Sequence, residues 1–274
     1  MRSPADTGCR GPDVHTPLDP KVNAVTKSYA LGEGLPQEIA VGEGSAWVLD
    51  FPPSPEDFSF GTEERTRLLR LDRAAGAFTT VASGLFEGGG LAVGEGAVWN
   101  VNWRPVLLNR VDSTTYRVDT VSVGSRAGTS GGAFPSSVAV GEGDVWATYR
   151  EPSREVFLSR VDTATEQVVA MIELPPRPGG IAVGGGATWV TARINDSVLR
   201  IDPEGNRVTR EIPVGRSPES VAFGEGAVWV ANTGDGTVSR IDPETNEVVV
   251  TIDVGGIPTD IAVGDDAVWV AVKA

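Results

Sequence analysis

Two markers that each recur six times, apolar runs that come four to a repeat, and a chain that begins and ends on complementary halves of that repeat predict an all-β fold. The fold they predict is a six-bladed β-propeller of four-stranded antiparallel blades. The stretch from Val221 to Gly255 is the plainest copy of the unit. It reads VAF, Gly-Glu-Gly, AVWVA, a polar link from Asn232 to Gly236, TVSRI, the turn Asp-Pro-Glu-Thr-Asn, and VVVTIDV. Each run is rich in β-branched residues and bounded by Gly, Pro, Asn or Asp, so each reads as a strand. A lone meander of this kind has two faces to bury and needs copies of itself on either side.

Residues 1–17 have no periodicity and are expected to form a disordered arm; residues 18–274 make a single propeller domain. The second half of a repeat comes first: residues 18–38 parallel IDPETNEVVVTIDVGGIPTD at 241–260. The first half follows as IAVGEGSAWVLD, residues 39–50. From there the Trp marker falls at Trp47, Trp99, Trp146, Trp189, Trp229 and Trp269, and the Asp marker at Asp19, Asp72, Asp112, Asp162, Asp202 and Asp242. The chain closes on a Trp half, IAVGDDAVWVAVKA. Matched ends suit a closed ring, in which strands from 18–32 pair with strands from 261–272 to complete the last blade. The repeated Trp is expected to pack between blades. Pro follows Asp19, Asp202 and Asp242, which fits a turn with Asp first and Pro second.

Spacing then separates scaffold from elaboration. The regular unit has 13 residues from Trp to Asp and 27 from Asp to the next Trp. Trp47 to Asp72 takes 25, Trp146 to Asp162 takes 16, and Asp112 to Trp146 takes 34. With strands a to d counted from the channel outward, these excesses lie in b–c and d–a connections. In an antiparallel meander both emerge on one face. All elaboration is therefore expected on one face, around blades 1 to 3, and loops on a rigid scaffold are where binding residues gather.

Composition excludes several classes of function. The net charge of −14 opposes binding to phosphate backbones, so no nucleic-acid partner is expected. No apolar run approaches the length needed to span a membrane, and residues 1–17 lack the apolar core of a signal peptide, so a cytoplasmic location is expected. One cysteine, Cys9, precludes an intramolecular disulfide. The one histidine, His15, lies in the N-terminal arm, which removes the bases of a Ser-His-Asp site and the ligands of a His-rich zinc site. The Gly-Glu-Gly turns join strands and open no helix, so they are not phosphate loops.

The residues expected at the channel mouth follow the marker Trp or precede the inner strand. The ligand-binding candidates are Asp50, Phe51, Asn102, Trp103, Tyr149, Arg150, Arg193, Asn232 and Lys273. Trp103 is the one tryptophan outside the repeat register. Glycines at 88–90 and 179–180 are expected to leave room for a pocket. Glu38, Asp50, Tyr149 and Asp260 are candidate catalytic groups. The carboxylates would act as general base, and Tyr149, Arg150, Arg193 and Lys273 would stabilise an anion. No cofactor is required, although Glu38, Asn102, Asn232 and Asp260 offer an oxygen set for a divalent cation such as Ca²⁺.

The unit IAVGEGAVWV…N…VSRIDPETNEVV resembles the repeats of YVTN and virginiamycin B lyase-like β-propellers, over almost all of residues 18–274. The resemblance implies the fold. The lyases of that group use histidines with a divalent metal, and this ring has no histidine, so their activity and site do not carry over. Two functions stand. In one, the elaborated face binds a small molecule, a peptide or a partner protein. In the other, the same mouth serves a histidine-free lyase, cyclase or isomerase acting on a small metabolite.

Overall fold

The structure, a computed structural model, describes residues 18–19, 24–25, 35–51, 66–72, 75–85, 90–102, 107–124, 134–264 and 267–273. Two short strands, β1 (Leu18–Asp19) and β2 (Ala24–Val25), pair with each other. Five four-stranded antiparallel sheets follow, each in simple meander order. The first blade holds β3 (Leu35–Gly42), β4 (Ser45–Phe51), β5 (Thr66–Asp72) and β6 (Ala77–Leu85). The second holds β7 (Leu91–Gly94), β8 (Ala97–Val101), β9 (Leu107–Asp112) and β10 (Val118–Ser122). The third holds β11 (Phe134–Gly141), β12 (Asp144–Arg150), β13 (Val156–Asp162) and β14 (Gln167–Leu174). The fourth holds β15 (Pro178–Val183), β16 (Thr188–Ala192), β17 (Ser197–Asp202) and β18 (Arg207–Pro213). The fifth holds β19 (Pro218–Gly224), β20 (Ala227–Asn232), β21 (Thr237–Asp242) and β22 (Glu247–Asp253). A final pair, β23 (Ile257–Gly264) and β24 (Ala267–Lys273), repeats the two inner strands. Among the described residues no helix is long and apolar enough to cross a membrane.

The sheets are the blades of a β-propeller. Inner strands β3, β7, β11, β15, β19 and β23 each pack beside the next. The core divides into five clusters, one in each gap between consecutive sheets. Every marker Trp from Trp47 to Trp229 packs into the gap shared with the following blade, as expected. A second repeat element accompanies it. Arg70, Arg110, Arg160, Arg200 and Arg240, each two residues before a marker Asp, lie 5.5–5.9 Å over the rings of Trp47, Trp99, Trp146, Trp189 and Trp229. Each Arg stands directly opposite its Trp on the neighbouring strand. The pairing therefore follows from sheet register.

The marker aspartates are turn formers. Asp112 Oδ1 accepts from the Thr115 N–H at 2.8 Å, Asp162 Oδ1 from Thr165 at 2.7 Å, and Asp242 Oδ1 from Glu244 at 2.8 Å. The described a–b turns are two-residue hairpins with both residues at positive φ, as in Glu43 (49°) and Gly44 (71°). A Gly at the second position makes this I′ geometry accessible. Their glutamates also reach sideways. Glu43 Oε1 accepts from the Gly96 N–H of the second blade at 3.1 Å. Glu95 does the same for Gly143 of the third, and Glu142 for Gly186 of the fourth.

The final pair, β23 and β24, differs from the five complete sheets. β24 pairs with β23, and β1 with β2; no pairing joins the two among the described strands. Trp269 is half-buried and residues 271–273 are exposed, where the equivalent strands of the third and fourth blades are almost wholly buried. The N-terminal arm (1–17) and residues 26–34 lie outside the described residues.

Candidate ligand-binding site

The b–c and d–a connections share one face, and a pocket of about 770 Å³ opens among those of the third, fourth and fifth blades. Its position follows from a motif in every inner strand but β7. A proline stands at the strand's start, at Pro36, Pro135, Pro178, Pro218 and Pro258, and a register shift follows it. Such bulges re-aim the chain locally. The residue before each proline then stands on the rim: Phe134 in the third blade, Arg177 in the fourth, Ser217 in the fifth. All three line the pocket.

The third blade contributes a row across three strands. Phe134 pairs with Arg150, and Arg150 with Val156. The Arg150 guanidinium lies 4.8 Å from the Phe134 ring centroid. Stacking this way leaves the edge of the planar group free to donate. The fourth blade contributes Arg177, Arg193 and Ile194, and the fifth contributes Arg216. Arg193 forms an ion pair across the blade boundary with Glu219, at 2.5 Å. Arg216 is held by Asp235 through both its backbone N–H and its guanidinium, and donates further to the Gly234 carbonyl. This contact raises the Arg216 pKa and lowers that of Asp235. Asp196 Oδ1 accepts the Ser217 N–H at 2.8 Å, tying the fourth blade's b–c turn to the fifth blade's rim. Four arginines thus meet in one cavity of a chain whose net charge is −14.

Of the residues expected at the mouth, Arg150 and Arg193 line this pocket. Asp50, Asn102, Tyr149 and Asn232 are 0% exposed and belong to blade interiors. Asp50 forms an ion pair with Arg67 at 2.7 Å. Asn102 exchanges hydrogen bonds with Asn109, and Asn232 donates to Thr237 and Ser239. Tyr149 packs beside Phe157 in the cluster between the second and third blades. Phe51 is half-buried and Lys273 exposed, each at the end of its blade's second strand. Trp103, together with residues 52–65 and 125–133 of the longer loops, lies outside the described residues. The glycines at 179–180 do not open space for a ligand. A Cβ on Gly179 would lie 2.4 Å from the Glu219 carbonyl oxygen, because the next inner strand fills that volume.

A second polar group lies on the inner strands β19 and β23. Asp260 Oδ1 accepts from Ser220 Oγ at 2.6 Å and from the Ile261 N–H at 2.8 Å. Glu38 is near enough to feel the Asp260 charge. Crowding by protein raises the Glu38 pKa first; the Gly90 N–H opposes this by hydrogen bonding, and Asp260 adds to it. A carboxyl whose folded pKa lies above its unfolded value destabilises the fold once ionised, and the cost disappears as the pH falls through that pKa. Glu38→Gln is therefore expected to raise the melting temperature at pH 7 and to leave it unchanged at pH 3. An equal shift at both pH values would show that charge is not the cause. Of the four residues expected to hold a cation, Asp260 acts on Glu38 through its charge, whereas Asn102 and Asn232 are engaged within the second and fifth blades. Among the described residues no three His, Cys, Asp or Glu side chains cluster as metal ligands.

Arg177 and Arg216 were not among the sequence candidates. Their signal is local: each occupies the link before an inner-strand proline, where the last blade has Gly256 and Ile257.

No protein-family model matches the chain, and no curated protein matches it in sequence. Solved structures do resemble it. Hydrazine synthase from Kuenenia stuttgartiensis aligns over 94% of this chain and 88% of its own, with a TM-score of 0.69 and 12% identity. Apo AztD from Citrobacter koseri aligns over 90% of this chain with a TM-score of 0.57 and 16% identity. The chain spans just under two thirds, 66%, of that protein. BamB from Moraxella catarrhalis aligns over 91% of this chain and 70% of its own, with a TM-score of 0.57 and 13% identity. At these identities the likeness is one of fold, and the fold is that of β-propeller proteins.

Proposed function

We propose that the chain is a binding propeller that holds its ligand on the face carrying the b–c and d–a connections. The pocket among blades 3 to 5 is the observation that supports this reading. It is concave, it is built from three blades rather than one loop, and its volume falls in the range of small-molecule sites, about 300–1,000 Å³. The sequence pointed to this face at blades 1 to 3; the described pocket shares the face and the third blade with that expectation. Six blades are proposed as well, with residues 18–32 completing the pair β23–β24, as is membership of the YVTN-like group.

The test is a ligand-observed NMR screen, followed by mapping of each hit onto backbone amides. Hits are expected to shift the amides of 134, 136, 150, 177, 193–196 and 216–217. Shifts confined to the Gly-Glu turns of the opposite face would overturn the choice of face.

A second reading, a histidine-free enzyme, is favoured by one observation. Glu38 has a raised pKa beside a second carboxylate, as suits a general acid or base. Turnover that vanishes in Glu38→Gln but survives Arg150→Ala would move the function from the pocket to the channel.

A further inference from the structure

We infer that the pocket selects an organic anion: a ligand with one acidic head, carboxylate, sulfonate or phosphate ester, and an apolar body. This rests on the binding reading above and adds the chemistry of the ligand.

The charges in the pocket are not equivalent. Arg216 is fully committed to Asp235 and Gly234, so it forms wall. Arg193 is committed to Glu219. Arg150 and Arg177 form no ion pair with a carboxylate among the described residues, and both are exposed. The four arginines are thus opposed by three carboxylates, Glu219, Asp235 and Asp196, and 4 − 3 leaves one positive charge. An acidic chain that keeps a net positive charge in a concave site, with two guanidiniums outside any ion pair, concentrates positive potential where the rest of its surface repels anions. The planar fork of Arg matches a carboxylate or phosphate through paired N–H donors. Arg150 is held for that purpose by its stack on Phe134.

The remaining wall is apolar. Phe134 is 43% exposed and Ile194 59% exposed, so both present apolar surface to the pocket. Pro135 and Val156 complete that side. A free inorganic anion would use the arginines and leave these groups wet; a neutral apolar compound would use these groups and leave the arginines unanswered. A ligand with both parts satisfies the whole lining.

Two dyes of the same shape separate these terms. 8-Anilinonaphthalene-1-sulfonate carries a sulfonate; N-phenyl-1-naphthylamine is its neutral counterpart. Both are titrated by fluorescence into the full chain, with inorganic phosphate as competitor. The sulfonate is expected to bind at least tenfold tighter than the amine. R150A/R177A is expected to remove that advantage while leaving the amine within twofold of its wild-type affinity, with the circular dichroism spectrum and melting temperature unchanged. Phosphate alone should compete only at far higher concentration. If F134S/I194S weakens both dyes but R150A/R177A weakens neither, the pocket binds without using charge; the anion inference falls and the binding face stands. If no substitution in the pocket changes either dye, or the sulfonate does not bind at all, the inference and the binding face fall together. If phosphate competes as well as the sulfonate binds, the apolar half of the inference falls.

Discussion

Trp189→Ala is expected to lower the free energy of unfolding by about 3–5 kcal/mol, the range for deleting a large buried aromatic. Three things are lost together. The side chain is 0% exposed and fills the gap between the fourth and fifth blades. Its Nε1–H donates to the Gly184 carbonyl at 3.0 Å, and its ring faces the Arg200 guanidinium at 5.7 Å. The same substitution at Trp269 is expected to cost far less, under about 1.5 kcal/mol, since that ring is half-buried and only part of its transfer free energy is recovered on folding. Urea unfolding of the two variants beside wild type measures the difference. Equal losses would mean that the last blade is as well packed as the fourth.

Gly179→Ala is expected to destabilise the ring and to disturb the pocket at once. The new methyl carbon would lie 2.4 Å from both the Glu219 carbonyl oxygen and Thr191 Oγ1. Rotating a side chain cannot relieve the first contact, because the obstacle is the backbone of β19. The inner strands of the fourth and fifth blades must separate, at a cost of about 1–3 kcal/mol for overpacking. Glu219 moves with its strand, so the Arg193–Glu219 ion pair is expected to lengthen or break. Gly264→Ala is the control: its Cβ would meet nothing within 4 Å, and a change under about 0.5 kcal/mol is expected. Thermal melts report the stability, and the fluorescence titration reports the pocket. A Gly179→Ala protein with wild-type melting temperature and dye affinity would show that the two strands are not in contact as described.

The architecture was legible because its signals are local. Strand runs, I′ turns and Asp-led turns are written within a few residues of each other, and their recurrence reports the propeller. The Arg that stacks on each Trp was equally periodic, two residues before each marker Asp. Its meaning needs cross-strand register, which spacing alone does not supply. The site was less legible for a different reason. Spacing anomalies draw attention to insertions, and those fall on blades 1 to 3. Arg177, Arg193 and Arg216 instead arise by substitution at constant length. The residue before the inner-strand proline is Arg177, Ser217 and Ile257 in the last three inner strands, and no gap marks the change. Asp50, Tyr149 and Asn232 occupy the expected rung, each opposite such a proline, yet lie under cover. Sequence placed them at the end of a strand but could not show what packs over it.

The sideways glutamates make the blades unequal as modules. Glu43, Glu95 and Glu142 each belong to one blade and serve the backbone of the next, so a blade moved elsewhere takes its carboxylate with it and leaves its former neighbour's amide unserved. The fourth blade's turn is Gly184-Gly185-Gly186 and has no carboxylate to pass on. Among the described residues the series of handshakes is interrupted there, at a boundary that the arginine pocket spans on the opposite face. Anyone recombining these repeats should cut after the fourth blade: that joint breaks no such contact, and a cut anywhere between the first and fourth blades does.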